Sequence, residues 1–343
     1  MIPRNDAPEP DRVLIYRLGS IGDTAVALPC FKFLREHFAK ARISLLTNHP
    51  RQGEAPVMSV ISPMNLVDAV IPYNVGERDP RALLNLSRRI RAERLDLLIY
   101  LSEYRGTPSL ARDVLFFRAS GARRILGAPF SADLRAPRPI GPDGMVESEA
   151  ARLARCLAPL GQVDIDGADA RDLRFTSEER HFARDKITAA FSGRRFVAAA
   201  VGAKIPAKDW GEQAWEVALR ALCEALPDFG LVMIGGPDDQ ERSERLARAW
   251  RGPTLDLCGA ASPRQSAAVM AEAEMFLGTD GGPMHLAAAS NTPCCVVFGP
   301  YNDPGHWYPL GTPHHVTRVP ALADADPREF AGDALSLLNR RQA

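Results

Sequence analysis

Short apolar runs alternate with amphipathic stretches along the whole chain. The runs predict strands at 12–18, 43–47, 68–73, 95–101 and 123–128 in the first half, and at 195–201, 230–236, 254–259, 274–279 and 293–299 in the second. Apolar residues at helical spacing predict helices near 24–38, 80–93, 147–160, 177–191, 211–226, 239–250, 263–273 and 283–290. This alternation is typical of parallel sheets covered by helices.

Two stretches divide this series of elements into halves. A segment rich in proline and glycine, 128–145, follows the first five strand candidates, and a polar segment, 161–172, precedes the next five. A chain of 343 residues is also long for one hydrophobic core. We therefore predict an α/β protein with two doubly wound domains, 1–170 and 171–343, whose strand ends face a central cleft. The last helix is a candidate to pack back on the first domain.

Charge and cysteine usage narrow the classes of function. Lys+Arg and Asp+Glu both number 42, so no net field attracts nucleic acid, although residues 1–174 carry 25 basic against 21 acidic side chains. The six cysteines form no CxxC pair, which favours buried free thiols in a reducing compartment. No apolar run approaches the ~20 residues of a membrane span, and the N-terminus lacks the apolar core of a signal peptide. We expect a cytoplasmic protein, with peripheral contact to the inner membrane left open.

The sequence RLGSIGD, residues 17–23, follows the first strand candidate and opens a helix. Gly19 and Gly22 allow a sharp turn that a ligand can approach closely, with Ser20 between them. Asp23 stands in the first helical turn, where it can cap free N–H groups or serve as a catalytic base. The residues alone leave these two roles even. A dinucleotide fingerprint is disfavoured because GxGxxG is incomplete.

A second glycine-rich turn, TDGGPMH, follows the strand candidate at 274–279. It exposes backbone N–H groups at the start of a helix, which favours a bound phosphate. Its aspartate could accept hydrogen bonds from sugar hydroxyls, while its histidine could face the same ligand or only pack. The candidate donor-binding residues of this turn are Asp280, Gly281, Gly282, Pro283, Met284 and His285.

Three further strand ends carry candidate ligand-binding side chains. Lys204 and Lys208, two of five lysines in the chain, are placed to neutralise a pyrophosphate, with solvated loop lysines as the alternative. Asp238 could bind ribose hydroxyls or cap a helix. The candidate acceptor-side residues, which could instead form only a surface ion pair, are Glu103, Tyr104 and Arg105.

Taken together, these stretches resemble glycosyltransferase family 9, the ADP-heptose:lipopolysaccharide heptosyltransferases. The most specific match is LCGAASPRQSAAVMAEAEMFLGTDGGPMHLAAASNTPCCVVFGP, residues 257–300. The stretch VLIYRLGSIGDTAVALPCFKFLRE, residues 13–36, is similar to the opening of that family, and PAKDWGEQAW, residues 206–215, to its Lys-x-Trp stretch. The resemblance covers nearly the whole chain.

The resemblance implies a GT-B fold, in which two Rossmann-like domains face a cleft. It implies inverting, metal-independent transfer of heptose or a related sugar from a nucleotide-sugar substrate to a lipopolysaccharide-type glycan, without a further cofactor. Asp23 falls on the family's base and Lys208 on the lysine that contacts the donor phosphates. The family's donor-binding turn falls on Asp280, Gly282 and His285.

The sequence departs from the family's pattern at several positions. Gly281 and Lys204 each stand where Ser or Thr is common, and His306 stands where arginine is common. Gly211 replaces a usual proline, and Pro237 sits about where some members carry a ribose-binding acid. These departures leave the exact donor open. A nucleotide-sugar epimerase of the same fold and a non-catalytic nucleotide-sugar-binding protein remain alternatives, whereas a NAD-dependent dehydrogenase is disfavoured.

Overall fold

Two parallel sheets form the framework of the molecule. A computed structural model of the chain describes residues 9–50, 55–141, 143–311 and 313–342. The strands are β1 Arg12–Tyr16, β2 Arg42–Asn48, β3 Ala69–Tyr73, β4 Leu97–Tyr100, β5 Ile125–Leu126, β6 Phe196–Ala199, β7 Gly230–Met233, β8 Thr254–Asp256, β9 Phe276–Thr279, β10 Cys294–Phe298 and β11 His314–Arg318. Within the described residues they form a five-stranded sheet, β3-β2-β1-β4-β5, and a six-stranded sheet, β11-β10-β9-β6-β7-β8.

Helices cover both faces of each sheet. They are α1 Ile21–His37, α2 Met58–Ile61, α3 Pro80–Ala92, α4 Thr107–Ala119, α5 Ala132–Arg135, α6 Glu149–Cys156, α7 Ala168–Arg171, α8 Ser177–Phe191, α9 Glu212–Ala225, α10 Gln240–Ala247, α11 Pro263–Ala271, α12 Gly282–Ala289 and α13 Pro327–Gln342. Short 3-10 turns lie at Ser62–Met64, Pro206–Lys208, Pro237–Asp239 and Leu322–Asp324. Among the described residues, none of these helices has the length and apolar character needed to cross a bilayer.

Hydrophobic cores form on both faces of each sheet, because the strands carry apolar side chains on both sides. One continuous apolar cluster packs α1 and α6 on the first sheet and α8, α11 and α12 on the second, so the inner helices of the two sheets share a core. The outer face of the first sheet is covered by α3 and α4. The outer face of the second sheet is covered by α9, α10 and α13. All six cysteines are buried in these layers, as expected.

Both sheets are doubly wound. In each, the strand order reverses beside the first strand, between β1 and β4 in one sheet and between β6 and β9 in the other. Ligands of open α/β sheets bind in the crevice at such a reversal. The ten predicted strands are all present, nine with shorter ends and β2 one residue longer at each end. The structure adds α4, the edge strand β11 and the short helices α2, α5 and α7. The turns after β1, β4, β6 and β9, at these reversals, hold the candidate ligand-binding residues except Asp238, which follows β7.

The final helix packs on the second sheet, so the expectation that it packs back on the first domain is wrong. It lies against α9, β10 and β11. The ring of Phe330 lies 5.0 Å from that of Trp210 and 5.8 Å from that of Trp215. The apolar residues of α13 recur on one face of the helix. That face is buried against the outer side of the second sheet, where Trp210 and Trp215 lie.

The predicted linker at 161–172 is held against the first helix. It contains α7, and the buried ammonium of Lys32 on α1 donates to the carbonyl oxygens of Asp169 and Asp172, each at 2.5 Å. These bonds satisfy two carbonyl groups of the short helix α7 and the residue that follows it. The boundary between residues 170 and 171 stays a prediction.

Candidate functional site

The turn between β1 and α1 fixes the position of Asp23. Ser20 is the extended N-cap residue of α1, and its backbone N–H and hydroxyl both donate to Asp23 Oδ2, at 2.6 and 2.8 Å. Gly19 has φ +145°, and a Cβ there would lie 2.3 Å from Asp23 Cβ. The turn therefore requires glycine at position 19. The capping role considered for Asp23 is present in the structure.

Capping occupies only one oxygen of the Asp23 carboxylate. The other, Oδ1, lies 3.8 Å from Arg17 Nη2, which is beyond hydrogen-bond distance. The Asp23 side chain is 26% exposed, whereas that of Arg17 is 2% exposed. Asp23 thus keeps an accessible oxygen that can accept a proton, beside a buried cation.

The turn between β9 and α12 carries the second half of the site. Asp280 follows the strand and is 8% exposed. Its Oδ2 accepts from Lys208 Nζ at 2.6 Å and from Asn302 Nδ2 at 2.5 Å. Gly281 is the extended N-cap of α12, followed by Gly282 and Pro283 in the first turn. The free N–H groups of this turn and the ammonium of Lys208 make an anion-binding surface.

The two glycine-rich turns touch each other through glycines. A Cβ on Gly22 would lie 3.0 Å from His285 Cδ2 and 3.2 Å from Gly282 Cα. A Cβ on Gly282 would lie 2.7 Å from Ile21 Cγ1. Side chains at either glycine would push the helix starts of α1 and α12 apart. The structure therefore brings together the two motifs that are separated by about 260 residues of sequence.

His285 lies between the two turns as a neutral imidazole. Burial lowers the pKa of His285 to about 4, and this outweighs the negative charges of Asp280 and Asp23, which act in the opposite direction. Its ring packs edge-on against Trp307, with centroids 5.9 Å apart. The residue is 5% exposed, so in this state it packs against the turns.

The remaining donor-side candidates are less enclosed. Lys204 is exposed in the loop after β6, and Asp238 is exposed in the turn after β7. The helix-capping acid there is Asp239, whose Oδ2 accepts from Gly236 N at 2.8 Å. Asp238 is therefore left facing outward. The side chain of Met284 lies in the apolar core, which leaves only its main chain for a ligand.

The acceptor-side candidates follow β4, and two of them are held by protein partners. Arg105 Nη2 donates to Asp113 Oδ2 at 2.7 Å and to the Tyr16 hydroxyl at 2.9 Å, so the ion pair considered for Arg105 is present. The Tyr104 hydroxyl lies 2.6 Å from Thr107 Oγ1. Glu103 is exposed at the surface, yet surrounding protein removes enough water to raise its pKa, and the charge of Glu149 adds to this.

A buried charge cluster beside Asp23 was not predicted. Glu149, at the start of α6, is fully buried. Its oxygens accept from Arg152 Nε at 2.6 Å, from Arg152 Nη2 at 2.7 Å and from Arg17 Nη1 at 3.3 Å. Burial alone would raise the pKa of Glu149, but hydrogen bonds from Arg152 outweigh it and hold that pKa below its usual range. The only sequence signal was Arg17 itself, a charge that continues an apolar strand.

No group of three or more His, Cys, Asp or Glu side chains with metal-binding geometry occurs among residues 9–50, 55–141, 143–311 and 313–342. The positive groups that the structure places at the donor turn are Lys208 and the start of α12. Both suit a diphosphate.

Comparison with known families identifies the class to which this arrangement belongs. The model of Glycosyltransferase family 9 (heptosyltransferase) matches residues 134–328, more than half of the chain. The chain belongs to glycosyltransferase family 9. The matched part includes the whole donor turn, Lys208 and the buried Glu149.

Relatives of this family 9 chain include enzymes and solved structures. Lipopolysaccharide heptosyltransferase 1 of Escherichia coli (strain K12) is 33% identical over 120 residues, which cover 33% of this chain and 34% of that enzyme. The glycosyl transferase family 9 structure from Veillonella parvula DSM 2008 superimposes with a TM-score of 0.75 at 17% identity, covering 98% of this chain and 100% of that one. The structure of E. coli ADP-heptose lps heptosyltransferase II gives a TM-score of 0.67 at 19% identity, covering 97% and 100%. With the two doubly wound sheets, these similarities confirm the predicted GT-B fold.

Proposed function

We propose that this chain is an inverting, metal-independent glycosyltransferase that moves heptose, or a related sugar, from ADP-heptose or another nucleotide sugar to a lipopolysaccharide-type glycan. The observation that carries the proposal is the contact between Gly22 and Gly282. It brings an accessible carboxylate and an anion-binding turn close together. The names of the relatives, which are heptosyltransferases, support the choice of sugar and acceptor.

The acceptor-side chemistry falls to Asp23. Its Oδ1 takes the proton from an acceptor hydroxyl while the oxygen of that hydroxyl attacks the anomeric carbon of the donor. The bond from that carbon to the diphosphate breaks on the opposite face, so the configuration inverts and a nucleoside diphosphate leaves. Proton transfer to a positioned carboxylate typically contributes about 10²–10⁴-fold to such a rate.

The donor-side chemistry falls to Lys208 and the turn at Gly281 and Gly282. Negative charge grows on the departing diphosphate, and a cation with helix N–H groups stabilises it. In the free protein Lys208 is paired with Asp280 at 2.6 Å, so the diphosphate competes with that carboxylate for the ammonium. Lys204 adds a second cation to the loop, and Asp238 is our candidate for the ribose hydroxyls.

The acceptor would enter beside Glu103, Tyr104 and Arg105.

We also propose that the enzyme works in the cytoplasm and binds peripherally to the inner membrane. The neighbouring helices α3 and α4 expose Leu84 and Leu115, at 51% and 69%, in a half of the chain with excess arginine. Vesicles with anionic lipid should sediment the protein at low salt, and zwitterionic vesicles should not.

A transfer assay tests the function. The protein is incubated with ADP-heptose, with and without a heptose-deficient lipopolysaccharide core, and ADP release and glycan mass are followed. We expect ADP and a glycan heavier by one heptose only when both substrates are present. Conversion of the donor without acceptor would indicate the epimerase alternative, and binding without turnover would indicate a non-catalytic nucleotide-sugar-binding protein.

A further inference from the structure

Arg17 is a buried cation that bridges two strand ends beside the base. It is 1% exposed, although it directly continues the apolar strand β1. Its Nη2 donates to the Asp23 carbonyl oxygen at 3.1 Å, and its Nη1 donates to the Leu101 carbonyl oxygen at 2.9 Å. The guanidinium therefore fixes the main chain of Asp23 relative to the end of β4.

The same guanidinium faces the Asp23 carboxylate without closing on it. The distance from Nη2 to Oδ1 is 3.8 Å, whereas a charge-assisted hydrogen bond spans about 2.7–2.9 Å. A closed ion pair would occupy the lone pairs that must accept the acceptor proton. At the observed distance Oδ1 stays open.

Glu149 is what holds Arg17 back from Asp23. Its Oε1 lies 3.3 Å from Arg17 Nη1. Arg152 donates hydrogen bonds to both Glu149 oxygens, which fixes the position of this carboxylate. Because Glu149 is fully buried, its attraction for Arg17 is weakly screened. The guanidinium is thereby shared between Glu149 on one side and Asp23 on the other.

The loop between β10 and β11 also reaches this cluster from the second sheet. His306 Nε2 lies 3.4 Å from Glu149 Oε2, and the His306 carbonyl oxygen accepts from Glu149 N at 2.9 Å. Val146 N donates to the Pro304 carbonyl oxygen at 2.8 Å in the same contact. The contacts that hold Glu149, and through it Arg17, therefore come from both halves of the chain.

We propose that Arg17 is a positioning residue for Asp23, held by Glu149 at a distance that keeps the base oriented and its Oδ1 open. This inference rests on the proposed function, in which Asp23 takes the acceptor proton. Arg17 acts through Asp23 and touches no substrate. Removing it leaves Glu149 paired with Arg152, so we expect the variant to fold.

Arg17→Met and Arg17→Lys test the proposal, with Arg12→Met as the matched control at the exposed start of the same strand. We expect Arg17→Met to lower kcat about 10–100-fold, with the KM for the donor and ADP affinity within about threefold of wild type. Arg17→Lys should recover part of kcat, and Arg12→Met should match wild type.

A kcat within about threefold of wild type in Arg17→Met, or a loss of ADP affinity as large as the loss of kcat, would overturn the proposal. If Arg17→Met does not fold, Arg17→Lys decides. A wild-type kcat in Arg17→Lys, or an equally weakened ADP affinity, would overturn the proposal, and a reduced kcat with unchanged ADP affinity would support it. Failure of the wild type to transfer heptose would instead refute the proposed function.

Discussion

Asp23 and Asp280 both follow a strand beside the strand-order reversal of its sheet, but their basic partners lie at different distances. Asp23 lies in the first turn of α1 with Arg17 beside it, and Asp280 directly follows β9 and is paired with Lys208. Arg17 stays 3.8 Å from Asp23 Oδ1, whereas Lys208 closes to 2.6 Å on Asp280 Oδ2. The first carboxylate is partly exposed and the second is buried.

This difference separates the two chemical tasks of a transferase. An open carboxylate can take a proton, because one oxygen has no hydrogen-bond donor. A closed pair holds an ammonium in place until a diphosphate competes for it. Changes at one turn should therefore alter turnover, and changes at the other should alter nucleotide affinity.

Replacing the open carboxylate should have the largest effect. Asp23→Asn keeps the shape of the side chain but removes the base, so we expect kcat for transfer to fall about 10²–10⁴-fold. ADP affinity, measured by calorimetry, should stay near wild type. Asp11→Asn, at the exposed start of β1, is the matched control and should transfer normally. Near-normal turnover by Asp23→Asn would remove Asp23 as the base.

The neutral His285 between the turns predicts a pH-dependent stability. Burial lowers its pKa to about 4 in the folded protein, so below its ordinary value of 6.5 the unfolded chain binds the proton more readily. The wild type should lose about 2 kcal/mol more than His285→Gln between pH 7 and pH 4.5. Urea unfolding of both proteins at the two pH values measures this difference. Equal losses would show that His285 does not stay neutral when buried.

Opening the closed pair should reduce nucleotide affinity. Lys208→Ala removes a charged donor to the diphosphate, so ADP should bind about 10–100-fold more weakly by calorimetry. Lys186→Ala, on the exposed face of α8, is the control and should bind ADP as the wild type does. Unchanged affinity in Lys208→Ala would count against its phosphate role and against the division of labour between the turns.

The contact between the turns can be tested by one methyl group. Gly282→Ala places a Cβ 2.7 Å from Ile21 Cγ1, so we expect a loss of about 1 kcal/mol in the free energy of unfolding, together with reduced turnover. Gly332→Ala, in α13, meets nothing within 4 Å and should be neutral or slightly stabilising. Equal thermal stability of the two variants would mean that the turns do not need their close approach.

Much of the architecture was readable from local pattern. The helix predicted at 177–191 has those bounds, because Thr176 and Glu179 form a capping box at its start. The two glycine-rich turns were predicted as ligand-binding turns because a Gly-rich segment between a strand and a helix rarely has another role. The edge strand β11 was missed because its sequence, HHVTR, is short and polar and is only half-buried.

The parts that were missed depend on distant residues. Arg17 and Glu149 are 132 positions apart, and His306 lies a further 157 positions on, so no local pattern joins them. Arg105 was considered for the acceptor, but its partner Tyr16 belongs to another strand and comes close only in the folded sheet. Charges buried in long-range clusters are decided by the fold, which places their partners.

Calorimetric titration identifies the nucleotide sugar that the protein binds. The wild-type protein is titrated with ADP-heptose and with GDP-, UDP- and dTDP-sugars under the same conditions. We expect ADP-heptose to bind most tightly and Lys208→Ala to weaken this binding. A clear preference for a nucleotide sugar whose base is not adenine would contradict the heptose assignment.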